Sequence, residues 1–205
     1  TFQALFRNPL ASPFTLGVSS GAALGAALAI RLGLTFTLLG ISGISLAAFV
    51  GALGSLLLVY GIGTARRGLG PAVMLLAGVA VSFFFSSVLL LVQYLSGFSD
   101  SIRIVRWLMG GLETVGYGSV LDLLPFAVCG GALVFFHARE LNLLTLGDEL
   151  AASRGVRVVR ARGVLFVAAT LMVGGVVSVC GPIGFVGMVS PHLARLLIGS
   201  EHRHL

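Results

Sequence analysis

Residues 71–96 read PAVMLLAGVAVSFFFSSVLLLVQYLS, a run without one charged side chain. At 1.5 Å of rise per residue a helix of this length reaches about 39 Å, more than the roughly 30 Å hydrocarbon core of a bilayer. Residues 16–34, 38–63, 120–137 and 164–180 are predominantly apolar in the same way, and a sixth run, 185–198, is shorter and interrupted by Pro191. The opening TFQALFR reads as the last turns of another helix, stopped at Asn8-Pro9 because proline cannot continue a helix and pushes its predecessor out of the α region. The chain is read as an all-α, polytopic membrane protein.

Composition agrees. Of 205 residues 57% are hydrophobic and 10% charged, and the mean hydropathy is +1.07. Too little polar surface remains to cover a water-soluble globule of this size. All 13 basic residues are Arg, so a phosphate loop, which needs its Lys, and Schiff-base chemistry are excluded for this chain. The net charge of +6 is not a nucleic-acid signature, since basic and aromatic residues do not interleave on a polar face. It sorts instead by side. Placing Arg66-Arg67 inside puts Arg7, the arginines of 138–162 and Arg203 there too, nine against Arg31, Arg103 and Arg106 outside, with Arg195 within the last run. That bias orients the protein. Cys129 and Cys180 read as two buried small hydrophobes. No signal peptide is recognisable in the residues ahead of the first apolar run, and the chain is read as opening mid-helix, as a piece of a longer one would.

Gly17, Gly21 and Gly25 recur every fourth residue, with Ser20 alongside and Ala29 continuing the row. This small-residue seam predicts close packing of one helix on another. The loop 97–118 carries SIRIVRWLMGG at helical spacing, which predicts an interfacial helix with Trp107 at headgroup level and Arg103 and Arg106 snorkelling. An external partner is the other reading of that loop.

The segment 138–162 is amphipathic and charged between two spans. Thr145 is placed to cap a short helix whose first turn holds Asp148 and Glu149, and Gly155 is placed to end it. Such a helix is a docking surface for a soluble partner or a solvated loop kept inside by its charges; spacing alone leaves both open. The run GPIGFVG at 181–187 breaks the helix at the outer face. His192 has no second ligand at metal spacing, so no metal site is expected. No carboxylate pair lies within a span and no charge lies in the middle of the five long ones, so neither catalysis nor a proton relay is expected of this chain.

Several segments, taken together, resemble one family. QALFRNPLASPFTLGVSSGAALGA (3–26) is similar to the end of the second and the start of the third helix of the permease subunits of ABC importers for iron-siderophores, haem and cobalamin. MLLAGVAVS (74–82) resembles the start of that family's fifth helix and RWLMGGL (106–112) its outer loop. LLTLGDELAASRGV (143–156) resembles its cytoplasmic coupling segment, and GPIGFVGMVSPHLARLLIGSEHRHL (181–205) its eighth helix and following loop.

The resemblance implies a type II ABC importer permease fold, one transmembrane domain over 1–205 running from the end of helix 2 through helix 8 of about ten, with the coupling segment at 138–162 inside it. It implies a non-enzymatic translocation subunit of the bacterial inner membrane, working with an ATP-binding subunit dimer, a second permease subunit in a homo- or heterodimer, and a periplasmic or lipid-anchored substrate-binding protein. ATP and Mg would bind the partner ATPase and no cofactor this chain. Leu146, Gly147, Asp148, Glu149, Ala151, Arg154 and Gly155 would belong to the coupling helices. Asn8, Pro9 and Leu10 would form the inner-mouth turn beside the pathway, and Gly70, Pro71 and Ala72 the inner gate. An iron-siderophore is the favoured cargo as the commonest family role, with haem and cobalamin as relatives. The competing readings are an ion-coupled secondary transporter, which should show a charged or broken mid-membrane site, and a membrane scaffold without transport.

Overall fold

The computed structural model describes residues 1–8, 11–38, 40–65, 71–111, 117–184 and 186–198. They form α1 (Phe2–Leu5), α2 (Val18–Arg31), a small hairpin of β1 (Thr37–Leu38) and β2 (Ile41–Ser42), then α3 (Gly43–Ala65), α4 (Pro71–Tyr94), α5 (Phe98–Leu108), α6 (Tyr117–Phe136), α7 (Ala138–Leu146), α8 (Asp148–Ser153), α9 (Val158–Cys180) and α10 (Val186–Ile198). The all-α membrane architecture expected from sequence is what the chain adopts. By length and composition, three helices among the described residues, α3, α4 and α9, can cross a membrane, and α6 with α7 passes as a bent fourth.

Burial follows membrane rather than aqueous logic. Large side chains such as Leu76, Phe83 and Leu90 are exposed, while Ala22, Ala26, Ala48 and Ala52 are buried. Among lipid tails a large apolar residue loses nothing by facing outward, whereas small residues let helix backbones approach. The seam meets this need. A Cβ on Gly21 would fall on the Gly51 carbonyl oxygen, one on Gly51 on the Gly21 carbonyl oxygen, and one on Gly25 on that of Ala47. Gly17 adopts φ +79 as the N-cap of α2, with Ser55 Oγ 2.6 Å from where its Cβ would be.

Two expected spans are shorter as helices than their apolar runs. Residues 16–34 hold only the 14-residue α2, about 21 Å long. Residues 11–17 are irregular, yet Thr15 and Leu16 pack against Gly78 of α4, about 10 Å along that helix from Pro71. Such backbone is tolerable at that depth only if its polar groups find protein partners. Hydroxyls and one N–H supply them: Thr15 Oγ1 donates to the Ser12 carbonyl at 2.8 Å, Gly17 N–H to Phe14 at 3.3 Å, Ser55 Oγ to Leu16 at 3.4 Å and Ser20 Oγ to Gly17 at 3.0 Å, while Ser82 Oγ shares its proton between the carbonyls of Gly78 at 2.8 Å and Phe14 at 3.2 Å. Ser82→Ala is expected to cost about 1 kcal/mol, read as a fall of roughly 2–4 °C in the unfolding temperature in detergent; no shift would mean that the Phe14 carbonyl does not depend on this hydroxyl.

Residues 38–63 begin as a strand rather than a helix. Thr37 pairs with Ser42 and Leu38 with Ile41, antiparallel, around Gly40 at φ +88. The β-branched Thr35, Thr37 and Ile41 favour extended backbone, and α3 begins only at Gly43. Cys129, expected to be buried, is exposed on α6, while Cys180 is buried. α10 runs through Pro191 rather than breaking there.

α5 is the helix expected in the outer loop, but it docks into the fold rather than only lying on it. Ile104 is buried and Trp107 packs half-buried against the core, while Arg103 faces Asp100 at 3.6 Å. Its end also meets the break after α9. The Gly111 N–H donates to the Cys180 carbonyl at 2.9 Å, and Gly110, at φ +62, leaves only 2.6 Å between its Cβ position and the Pro182 carbonyl oxygen. At the opposite end of the molecule Phe166 of α9 receives Phe2 and Phe6 edge-on, with ring centroids 6.2 and 6.0 Å away. The same core takes in Leu141, Leu144 and Ala151.

Candidate functional site

α6 has no free loop after it. At His137 the helix direction turns by 58° and continues as α7; the His137 N–H donates to the Leu133 carbonyl at 3.2 Å and its Nδ1 lies 2.9 Å from the same oxygen. Leu141 and Leu144 turn inward, whereas Leu146 is 66% exposed. Thr145, expected to cap the next helix, sits inside α7 and donates to the Asn142 carbonyl at 2.6 Å. Gly147 is the cap instead, at φ 128 and ψ 151. That conformation belongs to glycine. It lets α8 start one residue after α7, with the Gly147 carbonyl accepting from Ala151 N–H at 3.0 Å.

α8 is anchored by Ala151, which is buried, and presents Glu149, Leu150, Ala152 and Ser153 outward. It ends in a Schellman motif with Gly155 at φ +82. Gly155 N–H donates to the Ala152 carbonyl at 2.9 Å and Val156 N–H to that of Ala151 at 3.0 Å. Arg154 projects from this turn and is exposed. The result is an outward surface of Leu146, Glu149, Leu150 and Arg154 on two short helices that continue directly from a span.

Asp148 fixes that surface to the rest of the molecule. Its Oδ1 accepts from Arg162 Nη2 at 2.7 Å and from Arg7 Nη2. Arg162 is only 2% exposed, in the second turn of α9. Arg7 occupies the C′ position of a second Schellman motif, where Asn8 N–H donates to the Gln3 carbonyl and Arg7 N–H to that of Ala4. Its φ of 48 is the left-handed conformation usually left to glycine. Arg7 and Arg162 entered the sequence reading only as orientation charges. An arginine one turn into the apolar run VVRARGVLFV is the signal that a carboxylate partner was needed.

The remaining site residues are dispersed. Asn8 lies in the turn after α1, its carbonyl accepting from Ala11 N–H at 3.1 Å. Pro71 is the first residue of α4, where its missing N–H is harmless, and Ala72 is exposed. Pro9, Leu10 and Gly70 lie outside the described residues. Gly17, Gly21 and Gly25 line the α2–α3 contact. Among the described residues no three His, Cys, Asp or Glu side chains converge as metal ligands would.

A family model described as the FecCD transport family matches residues 1–205. The chain is 41% identical over 204 residues to the cobalamin import system permease protein BtuC of Halobacterium salinarum, covering 99% of this chain and 54% of that protein. It is 38% identical over 207 residues to the uncharacterized ABC transporter permease protein YvrB of Bacillus subtilis, covering 100% of this chain and 58% of the relative. A solved structure, an inward-facing conformation of a metal-chelate type ABC transporter, matches with a TM-score of 0.88 at 32% identity, over 98% of this chain and 63% of that one. The chain thus spans little more than half the length of these curated relatives.

Proposed function

The chain belongs to the FecCD transport family, and from that premise we propose that it forms part of the translocation subunit of an ATP-driven importer for an iron-siderophore or a related haem- or cobalamin-type chelate. The subunit sits in the bacterial inner membrane beside a second permease copy or homologue. It takes cargo from an external binding protein and leaves hydrolysis of ATP, with Mg, to a separate ATPase dimer. α7 and α8 are its coupling surface.

The observation that carries this reading is the outward face of Leu146, Glu149, Leu150 and Arg154, continuous with the α6 span and tied through Asp148 to α1 and α9. A soluble ATPase seated on that face can push on two spans and the α1 turn at once. Asn8, with Pro9 and Leu10, belongs in this reading to the inner mouth of the pathway, and Pro71 and Ala72, with Gly70, to the inner gate.

Arg154→Glu reverses one charge on the docking face without touching the core. In the complex reconstituted with its ATPase and binding protein, uptake and ligand-stimulated ATP hydrolysis should fall roughly tenfold or more through like-charge or unpaired contacts, with membrane insertion intact. Unchanged uptake and hydrolysis would remove α8 from the coupling role. Uptake driven by an ion gradient without ATP would replace the importer by a secondary carrier. Parallel uptake assays with a ferric siderophore, haem and cobalamin identify the cargo.

A further inference from the structure

At the end of the molecule that carries Asp148, a cleft of about 420 Å³ opens between the α6–α7 bend and the start of α9. His137, Arg139, Glu140, Arg154, Arg157 and Arg160 line it. All four arginines are exposed, and among the described residues none of them is ion-paired; the ion pairs of this structure are made by Arg7, Arg103 and Arg162. Four arginines and one glutamate thus line a single cleft. A concentration of like charge on a concave surface attracts anions.

The position of the cleft selects among anions. His137 ends the α6 span, and Arg157 and Arg160 flank the beginning of the α9 span, so the cations stand where two apolar helices leave the bilayer. Apolar surface adjoins them: Phe136, next to His137, is 76% exposed, and Val159, between Arg157 and Arg160, is 56% exposed. A free inorganic anion would use only the cations. A phosphate that carries acyl chains uses both halves.

We propose that this cleft binds the phosphate headgroup of an anionic phospholipid of the leaflet on the Asp148 side, with its chains running along Phe136 and Val159. The headgroup lies between the coupling helices and α9, so the lipid braces the bend from which α7 and α8 project. Binding does not require the ATPase-coupling role and goes beyond it.

The test is native mass spectrometry on the complex purified from membranes, in micelles holding equal dioleoyl phosphatidylglycerol and dioleoyl phosphatidylcholine. The wild type should retain phosphatidylglycerol preferentially. Arg157→Gln with Arg160→Gln should reduce that preference about fivefold for each arginine removed. Arg103→Gln with Arg106→Gln, a charge-matched change at the far end of the fold, should leave it intact, as should Arg157→Lys with Arg160→Lys. Equal retention of the two lipids by the wild type overturns the proposal without recourse to any variant. So does an equal drop in both glutamine pairs, which would mean diffuse charge. Displacement of phosphatidylglycerol by excess inorganic phosphate would make this a free-phosphate site. Loss of the co-purifying ATPase in the Arg157/Arg160 glutamine pair with lipid preference unchanged would make it a protein contact.

Discussion

Gly21→Leu is expected to leave the chain in the membrane but unable to seat α2 on α3, at a cost of about 3 kcal/mol or more. The reason is reciprocal backbone contact: a Cβ on either Gly21 or Gly51 would fall on the carbonyl oxygen of the other. Backbone cannot turn aside as a flexible side chain can, so the two helices must separate along their length. Even Gly21→Ala should destabilise, against the usual gain in helix propensity of about 1 kcal/mol. Gly54, also in α3, has nothing within 4 Å of its Cβ position, and Gly54→Ala should gain that propensity term. The opposite signs of two Gly→Ala changes, measured as unfolding temperatures in detergent, separate close approach from a general effect of glycine. An unfolding temperature for Gly21→Leu equal to the wild type would end the case for the seam.

The second large effect is expected at Asp148. Asp148→Asn keeps the shape but removes the charge facing Arg162, whose guanidinium is almost wholly buried. Breaking a fully buried ion pair from one side costs about 3–5 kcal/mol; with the Asp148 side chain 38% exposed, solvent screening brings the expectation to about 2 kcal/mol. Transport should suffer more than stability, because α8 loses its tie to α1 and α9 together. Asp148→Leu with Arg162→Met should recover stability, since an apolar pair replaces a buried ionic one at little loss, and should not recover coupling. Arg7→Gly should be about 1 kcal/mol less harmful than Arg7→Ala, since glycine relieves the left-handed backbone at φ 48. If Asp148→Asn hydrolyses ATP and transports as the wild type does, the clamp plays no part in coupling.

Much of this fold is legible in sequence because lipid makes hydropathy decisive: the runs that became α3, α4 and α9 are continuous, and the spacing of Gly17, Gly21 and Gly25 announces a seam. Gly155 is legible too, as a glycine just past a short helix. What sequence did not reveal depends on distant partners. The Leu16 carbonyl in the irregular stretch ahead of α2 is served by Ser55, 39 residues away and brought to it by tertiary packing. The roles of Arg7 and Arg162 exist only because α1 and α9 meet at Asp148, 141 and 14 residues away respectively. Thr145 had the right chemistry for a cap, but α7 continues past it and the break falls at Gly147.

The short α2 also constrains the order of synthesis. Ser55 follows Leu16 by 39 residues, so at roughly 5–20 residues per second the Leu16 carbonyl is made about 2–8 s before the hydroxyl that satisfies it. The Phe14 carbonyl does not wait in this way, because it accepts from Gly17 N–H at 3.3 Å. Until Ser55 is made the Leu16 carbonyl lacks the hydroxyl that it accepts from, and hydrocarbon offers no substitute. α2 must therefore wait in a hydrated or interfacial setting and enter the bilayer together with α3, as one member of a packed pair rather than alone.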